Sequence, residues 1–129
     1  MSFVTVPTAD GHNLPLFEAK PPGKPVAGVV VYHEAFGVTQ HMKDMCQWFT
    51  HHGYHAVAPE MFARVEPDAT KRDLPYNKEG FEAGRGYIRT TPREHWLADG
   101  AAAVAYLQGQ GLSVAAVGYC WGGGLAYMT

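Results

Sequence analysis

The chain has 129 residues, 47% of them hydrophobic and 17% charged, the proportions of a globular protein able to bury a sizeable core. Ten basic against twelve acidic side chains leave a formal net charge of −2 with no basic run, which argues against a nucleic-acid partner. No apolar stretch approaches the roughly 20 residues a membrane span requires, and the start, Met1-Ser2-Phe3-Val4-Thr5-Val6-Pro7, has no basic-then-apolar leader pattern.

Taken in chain order, Phe3 to Val6 and Leu14 to Glu18 flank Asp10-Gly11 and predict a β-hairpin. Ala19 to Pro25, rich in Pro, Gly and Lys, is a surface connector, so residues 1–25 form a hairpin and linker. The apolar run Val26 to Tyr32 is a strand covered on both faces. A helix follows, with Thr39 as N-cap, Met42, Met45, Cys46 and Phe49 at helical spacing, and Gly53 as the stop. Tyr54 to Ala58 is a second buried strand, closed by Pro59.

Residues 60–90, with mixed charges, Pro67, Pro75 and scattered glycines, read as an excursion with some helix above the sheet. Thr91-Pro92-Arg93-Glu94 predicts a capping box with Pro at the first helical position. Leu97, Ala101, Val104, Ala105 and Gln108 then form the expected face of that helix, ended by Gly109 or Gly111. Ser113 to Val117 is a third buried strand, and residues 122–129 start a last helix, with Leu125 and Tyr127 expected to be poorly covered. The alternation of strands and helices over residues 26–129 implies an α/β architecture: a mostly parallel sheet with helices on both faces, in one domain.

Gly118-Tyr119-Cys120-Trp121-Gly122 lies at the junction of the third strand and the last helix. A glycine-flanked nucleophile between strand and helix describes the nucleophile elbow, here with cysteine in place of the more usual serine. A cysteine reacts as thiolate, and a helix N-terminus favours that anion. Cys46, on an apolar helix face, reads as core, and with no leader both cysteines are expected as free thiols in the cytoplasm. Glu34 follows the first parallel strand, so it and Cys120 emerge at the same carboxyl edge of the sheet. There it can hold or accept the thiol proton if the two strands are neighbours; its bland reading is a solvated loop charge. The backbone N–H groups of Ala35 and Trp121 occupy the positions of an oxyanion hole.

Seven histidines invite a metal hypothesis, but none of their spacings matches a ligand motif: Gly53 breaks the helix between His51 and His55, and His33-Glu34 and Glu94-His95 lack a second histidine. No metal and no cofactor are expected. Gly122-Gly123-Gly124 matches neither a dinucleotide nor a phosphate-loop pattern.

These residues resemble the dienelactone hydrolase family (carboxymethylenebutenolidase-like), a branch of the α/β-hydrolase fold. Three segments carry the likeness: Gly28 to Gly37, Gly53 to Phe62, and Gly118 to Tyr127. The resemblance implies a Cys-His-Asp triad with Cys120 as nucleophile and Glu34 paired to the resting thiol. It also implies a small lactone or ester substrate, often anionic and held partly by arginine, for which Arg64, Arg72 and Arg85 are candidates. The family's triad aspartate and histidine lie on later strands and loops, so this segment corresponds to the N-terminal part of the fold and is expected to turn over weakly alone. The alternative is a non-catalytic assembly module that pairs with a second copy, or with a missing C-terminal half, through an open sheet edge. A redox thiol is the weakest reading, since Cys46 would have to leave its buried face.

Overall fold

In the computed structural model, which describes residues 2–129, five strands form one mixed sheet in the order β1-β2-β4-β3-β5. The strands are β1 (Ser2–Pro7), β2 (Asn13–Ala19), β3 (Ala27–Tyr32), β4 (Tyr54–Pro59) and β5 (Val114–Gly118). The expected hairpin is present: β1 and β2 pair antiparallel, and β2 pairs antiparallel with β4. β3 then lies parallel to both β4 and β5. The helices are α1 (Gln40–His51), α2 (Lys78–Thr90), α3 (Arg93–Gln108) and α4 (Trp121–Met128).

Alternation along the central strands builds two apolar layers, because successive side chains of a strand point to opposite faces. Val29 and Val31 of β3, with Ala56 and Ala58 of β4, meet Met42 and Cys46 of α1. Val30, Tyr32 and Val57 face the other way, against Ala103 and Leu107 of α3 and Leu125 of α4. Burying a side chain of this kind is worth about 1.5–3 kcal/mol. The space between α3 and β3 is set by a missing side chain, since a Cβ on Gly28 would come 3.0 Å from Leu107.

Several local expectations are corrected. Thr91 does not cap α3. Its hydroxyl donates to the Tyr87 carbonyl at the end of α2, while Pro92 takes the N-cap position without a side-chain bond. The covered face of α3 is Asp99, Gly100, Ala103 and Leu107, whereas Leu97 is 44% exposed and Ala101, Ala105 and Gln108 lie outward. The helix is rich in alanine all round, so apolar periodicity alone could not orient it. Leu125, expected to be poorly covered, is buried, whereas Tyr127 is 93% exposed. Thr39 does occupy the α1 N-cap, but its hydroxyl turns away to Tyr76. Gly53 ends that helix region as expected, with φ of 91°. Residues 60–90 hold a short 3-10 turn, Ala69–Lys71, and then α2.

Candidate active site

The turn from β5 into α4 is built by close backbone approach. Gly118 ends β5 where a Cβ would overlap the Gly122 carbonyl oxygen, and a Cβ on Gly122 would sit 2.5 Å from the Tyr32 and His33 carbonyl oxygens. Only glycine lets the ends of β5 and β3 and the start of α4 converge this tightly. Cys120 sits at the apex with φ 56° and ψ −121°, the one non-glycine residue with positive φ among the described residues. Such a conformation costs of order 1–3 kcal/mol and persists where the surroundings over-determine it. Cys120 is exposed, at the N-cap of α4, while Cys46 is buried and its thiol pushed up to about 12 by loss of solvation.

β5 and β3 are neighbours, in register Tyr32 opposite Gly118, so the segment after β3 and the elbow leave the sheet side by side. That segment carries Glu34 and Ala35. Glu34 Oε1 accepts a 3.2 Å hydrogen bond from the Tyr76 hydroxyl, which in turn accepts one of 2.7 Å from Thr39. The Tyr76 ring lies on Phe36, centroids 4.5 Å apart. Among the described residues no hydrogen bond reaches the Cys120 sulfur, and the Ala35 and Trp121 backbone N–H groups donate none.

Beneath this edge lie two buried titratable groups. His33 is fully buried, which lowers its pKa to about 4 and leaves it neutral. Its Nε2 accepts from the Met61 N–H at 3.1 Å, and its Nδ1 therefore carries the proton, donating to the Glu34 carbonyl at 2.6 Å. The ring is packed edge-on to Phe62 at 4.8 Å and tilted against Trp121 at 5.6 Å. Glu60, at the end of β4, is also buried. Desolvation raises its pKa to about 7, against the opposing pull of Arg72, whose Nε lies 3.8 Å away. One Glu60 oxygen takes the Phe62 N–H at 3.5 Å.

Of the arginines, Arg64 is committed to two carboxylates: Nη1 and Nη2 bind Asp10, and Nε and Nη2 bind the buried Asp99. Arg72 is buried and donates to the Glu66 and Pro67 carbonyls. Arg85 is partly exposed and makes a loose 3.5 Å contact with Glu82. It adjoins Gly84, where a Cβ would overlap the Ala35 carbonyl oxygen, so α2 rests directly on the loop after β3. His33, Glu60 and Tyr76 were missed as contributors in the sequence. His33 was weighed only as a metal ligand, although its place directly after a buried strand was a usable signal. No cluster of three metal-ligating side chains forms among the described residues, and no described helix is long and apolar enough to cross a membrane.

The layered sheet and the strained residue between β5 and α4 define an α/β-hydrolase-type fold. A family model described as the dienelactone hydrolase family matches residues 14–129, and the chain belongs to that family. Carboxymethylenebutenolidases of Pseudomonas putida and Pseudomonas knackmussii are each 31% identical over 129 residues, covering 98% of this chain and 54% of theirs. A solved structure, the dienelactone hydrolase-like promiscuous phosphotriesterase P91 from metagenomic libraries, superposes with a TM-score of 0.69 at 26% identity. That match covers 98% of this chain and 52% of P91. The chain thus spans about half the length of these relatives.

Proposed function

We propose that this chain supplies the nucleophile half of a hydrolase site for small lactones or esters. The observation that carries the reading is Cys120: exposed, in a strained backbone conformation, at the N-cap of α4. In this reading the thiolate attacks the substrate carbonyl and forms an acyl-thioester. The Ala35 and Trp121 N–H groups receive the oxyanion, and water then releases the acid. Glu34 exchanges its carboxylate between Tyr76 and the resting thiol. Arg85, beside the loop after β3, suits an anionic substrate better than Arg64 or Arg72, whose guanidiniums are already engaged by protein groups.

Turnover needs a general base, and no histidine hydrogen-bonds the Cys120 sulfur among the described residues, so acylation is expected to outrun release in the 129-residue chain. The test is iodoacetamide labelling followed by peptide mass mapping. Rapid modification of Cys120 with Cys46 protected is the expected result, whereas an inert Cys120 sinks the hydrolase reading. One observation favours a second reading, assembly through the sheet. β5 pairs with β3 along one edge only, and Trp48, 52% exposed, flanks it in a largely apolar groove of about 480 Å³. Sedimentation as a monomer at high concentration would remove self-pairing through that edge.

A further inference from the structure

The oxyanion-hole donor at Ala35 belongs to the peptide Glu34–Ala35, and in a planar trans peptide the carbonyl and the N–H point in opposite directions. Whatever holds the Glu34 carbonyl therefore aims the Ala35 N–H. Two groups hold it: the Gly37 N–H at 3.3 Å, closing the turn, and the His33 Nδ1–H at 2.6 Å. The imidazole cannot rotate freely, because Nε2 is bound to the Met61 N–H and the ring packs against both Phe62 and Trp121, which stack on each other at 5.7 Å. Met61 is the second residue after β4 and Trp121 directly follows Cys120, so one side chain ties together the exits of three parallel strands.

We propose that His33 is the positioning residue of the oxyanion hole: its Nδ1–H pins the Glu34 carbonyl from below and so turns the Ala35 N–H toward the side on which Cys120 stands. The inference rests on the reading of Cys120 as nucleophile and assigns a role to a histidine that does not touch substrate. Burial keeps the ring neutral, and the Met61 N–H on Nε2 sets the tautomer that leaves the proton on Nδ1; Glu60, whose Oε1 lies 3.6 Å from Nε2, is the titratable group that faces the ring.

Two reactions of the same sulfur separate this role from a general structural one. With 4-nitrophenyl acetate the Cys120 thiolate forms a bond to the carbonyl carbon, and the carbonyl π electrons move to oxygen as an oxyanion. Collapse then expels 4-nitrophenolate and leaves the acetyl thioester. With iodoacetamide the same thiolate displaces iodide at a saturated carbon, and no oxyanion forms. Both rates are measured on the intact 129-residue chain at alkaline pH, as a nitrophenolate burst and as alkylation, with Cys120→Ala as the blank.

His33→Phe keeps a planar aromatic ring but removes the Nδ1–H donor, along with the acceptor of the Met61 N–H; it should slow acylation about 10- to 100-fold, as expected for a misaimed oxyanion donor, and leave alkylation within about twofold. His33→Asn, whose amide nitrogen takes the place of Nδ1, should recover acylation to within about threefold of the parent. Equal acylation by parent and His33→Phe overturns the proposal. So does a parallel fall of both rates in His33→Phe that His33→Asn does not repair, since that marks damage to the elbow itself. If the parent chain neither acylates nor alkylates at Cys120, the nucleophile reading fails first and takes this role with it.

Discussion

The two halves of the candidate site are held by opposite means. The elbow, residues 118–124, is shaped by missing side chains: Gly118 and Gly122 let three backbone segments approach until any added carbon would overlap a carbonyl. The loop after β3, residues 33–38, is shaped by polar side chains, His33, Thr39 and Glu60 buried and Tyr76 exposed. His33 grips the Glu34 carbonyl, Glu60 lies under the turn, and the Thr39–Tyr76 pair holds the Glu34 carboxylate. A glycine-built element fails all at once when a methyl is added. An element held by polar side chains can be loosened one bond at a time and can depend on pH.

Breaking the elbow should give the largest effect. Gly118→Ala forces the backbone of β5 away from α4 and should cost about 3 kcal/mol or more, seen as a large fall in thermal midpoint. Gly124→Ala, within α4 and with nothing within 4 Å of its Cβ, should be neutral or stabilise by about 0.5–1 kcal/mol. If the two alanines destabilise equally, close backbone approach is not what shapes the elbow.

Glu60 sharpens the contrast from the other side. Its carboxyl ionises at 4.5 in the unfolded chain and at about 7 when folded, so in that window the folded state holds the extra proton. Stability is therefore fully present below the unfolded value and is lost as pH rises through about 7, by an amount of about 3 kcal/mol for a shift of this size. Glu60→Gln, which cannot ionise, should flatten that part of the pH–stability curve. Chemical denaturation at a series of pH values measures it, and an unchanged slope would show that Glu60 ionises without penalty.

Tyr76→Phe should give the smallest effect. The bond lies near the surface, so losing it should cost only about 0.5–1.5 kcal/mol. Its signature is local: the Glu34 carboxylate is released to turn toward Cys120, and the thiol should alkylate more slowly at neutral pH. Glu34→Gln in the Tyr76→Phe background should restore the rate; failure to do so would mean that Glu34 never reaches the sulfur.

The same contrast explains what could be read from the chain. The tight turn at Cys120 was legible because its requirement is local: glycines around one residue, after an apolar strand and before a helix. The strands of the sheet were legible for a similar reason, since Val26 to Tyr32 and Tyr54 to Ala58 are short apolar runs bounded by breakers. The loop after β3 was not, because its supports come from Glu60, Met61 and Tyr76, far along the chain, and no spacing rule links them to Glu34. The orientation of α3 is not legible because alanines lie on every face of it, and its buried Asp99 is fixed by Arg64, 35 residues earlier in the chain. Thr91 was misread because Ser and Thr can close the helix before them as readily as open the one after.

The contact between Gly84 and the Ala35 carbonyl carries a consequence for how such a scaffold can be varied. The stretch from Pro67 to Lys71 is exposed and could accept insertions or a transplanted loop at little cost. The return through α2 could not, because any residue larger than glycine at position 84 would push on the backbone of Ala35 in the loop after β3. A designer exchanging this excursion for one with a new substrate preference has a free span and one fixed point. The fixed point is a single hydrogen atom where every other amino acid has a carbon.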